Sequence, residues 1–154
     1  KYNHKISKIL SKLKKYKKRS PQNYKQAMYY WTNFIKQLDL LENDNLHNYN
    51  QHFDNAYHYL QKSVNTFQGL STEAKERKYI DGLKYNDFEN SKELSKISKY
   101  SKQLYEEGYL LLYNLSLRLN KRWEKSPSVF NKQIVLEHPL PNDKYLSKHF
   151  DFYV

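Results

Sequence analysis

Apolar residues recur at spacings of three and four residues along most of the chain, up to Trp123. This spacing places them on one face of an α-helix, whereas a half-buried strand would alternate every second residue. With only 3 glycines in 154 residues and no alternating βα pattern, a parallel-sheet enzyme is excluded. The pattern predicts an all-α protein, an elongated three- to four-helix bundle with a helical hairpin, one long C-terminal helix and an extended C-terminal tail.

The first half of the chain predicts three helices. The first carries the apolar stripe Ile6, Ile9, Leu10, Leu13 and Tyr16. Ser20 and Pro21 then form an N-cap and first-turn proline, which start a second helix that ends near residues 43–45. A third helix is expected over 46–68, with Gly69 as its stop. The short polar loop between the second and third helices favours an antiparallel hairpin.

The second half is dominated by one long helix. Thr72 is expected to open a short, weak helix that Gly82 closes, and residues 84–89 are expected to form a loop. Asn90 and Glu93 resemble a capping box, from which apolar residues continue at helical spacing to Trp123. Glycine inside a helix is costly, so Gly108 predicts a close helix crossing or a kink.

Three regions follow from this organisation: a basic amphipathic helix or arm over 1–19, a helical bundle domain over 20–125, and an extended docking tail over 126–154. The tail is apolar without helical spacing, which is typical of a segment covered by other chains. Three tyrosines of the bundle fall off or at the edge of their helical stripes. The residues predicted to dock partner subunits are Tyr29, Tyr30, Tyr59, Phe130, Ile134, Leu136, Leu140, Tyr145, Phe150, Phe152 and Tyr153.

Positive charge is concentrated at the N-terminus. Residues 1–20 contain eight Lys and one Arg without an acid, so they hold +9 of the net +11. We expect this helix to contact the RNA backbone, where cations replace condensed counterions. An anionic membrane surface is a weaker alternative, because the stripe lacks Trp and Phe; a solvated outer helix is a further alternative. The predicted nucleic-acid-binding residues are Lys5, Lys8, Lys12, Lys14, Lys15, Lys17, Lys18 and Arg19.

Several kinds of chemistry are disfavoured by residue type and spacing. The chain has no Cys, and its glycines are too far apart for a phosphate-binding loop. His47, His52 and His58 lack the four-residue spacing of a zinc helix. The adjacent acids Glu106 and Glu107 point in different directions and are expected on a solvated face. We therefore expect no catalytic residues, no metal site and no cofactor.

The sequence thus favours a non-catalytic structural subunit of a large assembly, most plausibly a ribonucleoprotein such as a mitochondrial ribosome. The bias towards Lys, Asn and Tyr over Ala, Gly and Arg is typical of an AT-rich genome. The alternative is a helical scaffold for protein–protein interaction without RNA contact, in a respiratory or cytoskeletal complex or as an exported parasite protein. No membrane span is expected, since no apolar run approaches 18 residues. The sequence begins at Lys1, as a processed product or a fragment would.

Overall fold

The computed structural model describes the backbone of residues 4–42, 48–80 and 87–124, and the side chains of 4–42, 48–71 and 91–122. Four α-helices and one 3₁₀ turn account for nearly all of these residues. They are α1 (His4–Lys14), the 3₁₀ turn Lys17–Arg19, α2 (Pro21–Leu41), α3 (Tyr49–Ile80) and α4 (Asp87–Glu124). The all-α prediction is confirmed; the tail over 126–154 lies outside the described residues.

The break between α1 and α2 occurs where the sequence places it. Ser20 has extended backbone geometry, and its Oγ accepts a hydrogen bond of 3.2 Å from the backbone N–H of Asn23. Pro21 opens α2, where a missing backbone N–H costs nothing. The predicted cap is confirmed, and it turns the chain so that the apolar faces of α1 and α2 enter one core.

Gly69 does not end α3, and this prediction is wrong. The helix continues through Gly69 to Ile80, so the separate short helix expected from Thr72 is also wrong. Glycine permits a left-handed turn but does not impose one, so a helix can continue through it. A Cβ at position 69 would lie 3.3 Å from Nδ2 of Asn23, so the small residue accommodates the close approach of α2.

Helix α4 begins at Asp87, three residues before the predicted cap at Asn90. The capping-box prediction is therefore wrong, and residues 87–89 are helical where a loop was expected; residues 81–86 lie outside the described residues. With 38 residues, α4 is about 57 Å long. The predicted close crossing at Gly108 is confirmed, because a Cβ there would lie 2.5 Å from Cδ1 of Leu60 on α3.

The helices alternate in direction along the bundle. Ser63 Oγ donates to the carbonyl oxygen of Ala27 at 2.9 Å, and His52 lies beside Gln37, so α2 and α3 are antiparallel. Helix α3 packs on α4, and α1 packs on the other flank of α4. All four helices contribute to one core. Its largest fully buried side chains are Tyr109, Phe34, Phe53, Phe67, Leu13, Leu41, Leu60, Leu70, Ile97, Leu104, Leu112 and Leu119.

Candidate nucleic-acid interface

The basic N-terminal segment contacts α4 once every seven residues. Lys5 Nζ lies 2.9 Å from Glu107 Oε1. Lys12 Nζ lies 5.1 Å from the ring centroid of Tyr100, and Arg19 forms an ion pair with Glu93. Each contact is seven residues further along the N-terminal segment and seven residues back along α4. This is the repeat of an antiparallel coiled coil, and we call this line of contacts the α1–α4 seam.

Two of the predicted nucleic-acid-binding residues have a structural role in this seam. The Glu107 side chain is only 5% exposed and receives the Lys5 ammonium, while the Arg19 side chain is 12% exposed. The expectation that Glu106 and Glu107 share a solvated face is wrong, because Glu107 is buried and Glu106 is half-buried. A carboxylate is tolerated there because a cation lies within hydrogen-bonding distance.

Most of the apolar face of α1 is buried inside the bundle. Ile6, Ile9 and Leu13 are 3% exposed or less, and they belong to the shared core. The exposed residues of α1 and of the turn that follows it are Lys, Ser and His only. The exposed surface of α1 is therefore cationic and polar, and its remaining apolar side chain, Leu10, is half-buried against the core.

The remaining predicted lysines divide into two groups. Lys12 and Lys17 lie over aromatic rings, with Lys17 Nζ 5.6 Å from the ring centroid of Tyr24. Such cation–π contacts hold a side chain without neutralising its charge. The other exposed lysines form neither an ion pair nor a ring contact with the described residues. They are Lys8, Lys14, Lys15 and Lys18.

Sequence reasoning missed three lysines of α4 that lie beside the same seam. Lys92, Lys96 and Lys99 are exposed, and Lys96 is three residues after Glu93 and four before Tyr100, which both contact the N-terminal segment. They were overlooked because the charge of residues 21–154 nearly cancels when it is summed. The sequence signal for these three lysines is their spacing of four and then three residues, which is also the spacing of Lys8, Lys12 and Lys15.

The three off-stripe tyrosines meet on a different pair of helices, α2 and α3. Tyr29 is 62% exposed, and its ring centroid lies 5.7 Å from that of Tyr30. Lys62 Nζ lies 5.7 Å from the ring centroid of Tyr30 and borders an open depression that Tyr59 also lines. The structure thus brings Tyr29, Tyr30 and Tyr59 into one neighbourhood. The predicted docking residues of the tail, from Phe130 to Tyr153, lie outside the described residues.

A second tyrosine cluster fills the interface of α3 and α4. The hydroxyl oxygens of Tyr57 and Tyr105 are 3.2 Å apart, and the ring of Tyr109 packs edge-on against that of Tyr57. Burial raises the pKa of Tyr109 to about 12 and, aided by the hydrogen bond to Tyr57, raises the pKa of Tyr105 further. These phenols stay protonated at neutral pH, and their role is packing.

The histidines do not converge. His52 Nδ1 lies 3.4 Å from Gln37 Oε1, whereas His58 is exposed beside the ring of Tyr57; His47 lies outside the described residues. Within the side chains of 4–42, 48–71 and 91–122, no three His, Asp or Glu residues are grouped as metal ligands would be. The groove between α3 and α4 is open, and its lining includes the amides of Gln61, Asn65 and Gln68 together with Lys102.

Comparisons with protein-family models, with curated proteins and with solved structures each find no match. Across the described helices, none has the length and apolar character needed to cross a membrane.

Proposed function

We propose that the protein is a non-catalytic structural subunit of a ribonucleoprotein, such as a mitochondrial ribosome, and that it binds the RNA backbone through α1. One observation carries this proposal. The apolar face of α1 is buried in the core while its exposed face is a row of lysines, so the helix is held rigidly with its cations directed outward. Rigid placement lowers the entropy lost when lysines contact phosphates.

RNA is favoured over a membrane surface by the same burial. An interfacial helix binds a bilayer by placing its apolar face among the acyl chains. On α1, Ile6, Ile9 and Leu13 already pack inside the bundle, so insertion would require α1 to leave the core. Phosphate contact requires only the exposed lysines.

The chemistry of the site predicts binding without sequence preference. Lysine is a compact point charge, and it contacts phosphates without the bidentate geometry that reads base edges. The exposed side chains beside these lysines include serines, whose hydroxyl groups also hydrogen-bond phosphates without reading the bases. The affinity should therefore follow salt concentration more closely than RNA sequence.

The test is binding of a labelled 20-nucleotide oligouridylate across a salt series. Deleting residues 1–20 would remove three core side chains, so neutralising substitutions are the sound choice. In the test variant, Lys8, Lys14, Lys15 and Lys18 become Gln. The control variant changes Lys25, Lys36, Lys102 and Lys121, which are also exposed and lower the net charge equally.

We expect the test variant to bind weakly and to lose about 3 from the slope of log affinity against log salt, at about 0.7 per single-strand phosphate. The control should keep most of the wild-type slope. Equal loss in both variants would mean that binding follows net charge alone, and absence of wild-type binding at low salt would reject the RNA proposal.

A second candidate function, a scaffold that binds protein without RNA, is favoured by the exposed rings on α2. Tyr29 and Tyr30 are packed together and partly solvent-facing, and aromatic residues of this kind are common at interface centres. This candidate predicts no RNA binding at low salt, together with stable association with a purified partner subunit that Tyr29→Ala weakens at least tenfold.

A further inference from the structure

Two rows of exposed lysines border the α1–α4 seam. On the N-terminal segment, Lys8 of α1 lies between the seam residues Lys5 and Lys12, and Lys15, just past the end of α1, lies between Lys12 and Arg19. On α4, Lys96 lies between Glu93 and Tyr100, with Lys92 and Lys99 one turn before and after it. Five of these lysines take no part in the contacts that define the seam, and all five are exposed: Lys8, Lys15, Lys92, Lys96 and Lys99.

The antiparallel register brings the two rows to the same level. Because Lys12 lies over Tyr100, Lys99 is at the position next to it on α4, and Lys15 falls opposite residue 97, beside Lys96. Lys102 belongs to the opposite flank of α4, where it borders the groove with α3. Lys92, Lys96 and Lys99 therefore flank the seam on its solvent side, as Lys8 and Lys15 do.

Among the described side chains, the two acids of the seam are paired. Glu93 binds Arg19 and Glu107 binds Lys5, so the carboxylates of the seam are engaged by residues other than the flanking lysines. Half-buried Glu106 borders one end. From Lys92 to the level of Lys8 the rows span about twelve helical positions, or roughly 18 Å. A cationic surface of this length can contact several consecutive phosphates of one RNA strand.

We propose that α4 supplies the second half of the RNA-binding site, so that one RNA strand lies along the α1–α4 seam between the two rows of lysines. This inference rests on the proposed function and adds Lys92, Lys96 and Lys99 to it. Because both rows border one seam, a phosphate chain placed between them relieves the repulsion between their like charges. Neither row alone surrounds a phosphate from two sides.

The experiment uses the full chain, the oligouridylate described above and three variants with the same charge change. The α4 variant is Lys92→Gln, Lys96→Gln, Lys99→Gln. The α1 variant changes the row residues Lys8 and Lys15 and the neighbouring Lys14 to Gln, and the control is Lys25→Gln, Lys36→Gln, Lys102→Gln. Circular dichroism establishes that each is folded, and vesicles containing phosphatidylserine serve as a second probe.

We expect the α4 and α1 variants each to lower the slope of log affinity against log salt by about 2, while the control loses much less. If the α1 variant loses this slope and the α4 variant resembles the control, the two-row site is wrong and the proposed function stands. If wild type binds only the vesicles, or neither probe, both proposals are wrong.

Discussion

Lys5 Nζ lies 2.9 Å from Glu107 Oε1, and this ion pair joins the first helix of the bundle to the middle of the last. The carboxylate is buried while the ammonium side chain is 53% exposed, so the pair straddles the boundary between the core and water. The lysine remains partly hydrated, which lowers the desolvation cost of the pair, and Glu107 gains a counter-ion in the core.

Lys5→Met should therefore lower the free energy of unfolding by about 1–3 kcal/mol, because it leaves the buried carboxylate without the Lys5 ammonium. Glu107→Gln should cost less, since its amide oxygen still accepts from Lys5. Urea unfolding followed by circular dichroism measures both. Lys8→Met is the matched control, exposed on the same helix, and should stay within about 0.5 kcal/mol of wild type. Equal effects at both positions would contradict a structural role for Lys5.

The two helical glycines of the described region should respond to alanine with opposite signs. Gly69→Ala should raise the free energy of unfolding by about 0.5–1 kcal/mol, because the half-buried Asn23 amide can rotate away and alanine favours the helix. Gly108→Ala should lower it by about 1–3 kcal/mol, because the new methyl overlaps Leu60, which is fully buried.

A double-mutant cycle separates this clash from other effects at Gly108. Leu60→Ala alone should cost about 2–5 kcal/mol through the cavity it leaves, and it should cost clearly less when position 108 is already Ala. Strict additivity of the two changes would show that the crossing is not tight.

Tyr109→Phe should stabilise the protein. The side chain is fully buried, and its hydroxyl has no hydrogen-bond partner among the described residues. A buried unsatisfied hydroxyl costs on the order of 1 kcal/mol or more, and phenylalanine removes it while keeping the ring contacts with Tyr57. Chemical denaturation at neutral pH tests this, and a loss of stability would indicate a partner for that hydroxyl.

The same variant predicts an alkaline pH dependence. Burial raises the pKa of Tyr109 to about 12, whereas an unfolded tyrosine ionises near pH 10. Below pH 10 both states are protonated and the stability is fully present. As pH rises from 10 towards 12 the Tyr109 phenol ionises only in the unfolded state, so this one group lowers the stability of the wild type by at most about 1.4 kcal/mol per pH unit. The advantage of Tyr109→Phe should widen over this range; a constant difference would contradict the raised pKa.

Local signals in the sequence predicted much of the fold because they act through neighbouring residues. Ser20 and Pro21 determine a helix start by their own backbone chemistry, and this prediction is confirmed. Gly69 was ambiguous, since a glycine that ends a helix and one that lets another helix approach look identical in one dimension. The position of Asn23 on α2 decides between them.

The site was harder to predict because it depends on register. The lysines of residues 1–20 were evident from composition, but only the pairing of Lys5 with Glu107 and of Arg19 with Glu93 separates structural cations from available ones. The same register places Lys96 at nearly the level of Lys15 along the seam. No count of charge along the chain contains that relationship, because it is created by helix packing.

The most direct test of the central claim is lysine footprinting with an amine-reactive reagent, read by mass spectrometry with and without the oligouridylate at low salt. RNA on the α1–α4 seam should protect Lys8, Lys15, Lys96 and Lys99 at least several-fold. Lys25, Lys36, Lys62 and Lys121 should react equally in both samples. Uniform protection of all lysines, or protection concentrated at Lys62 beside Tyr30, would contradict a specific RNA-binding surface on α1 and α4.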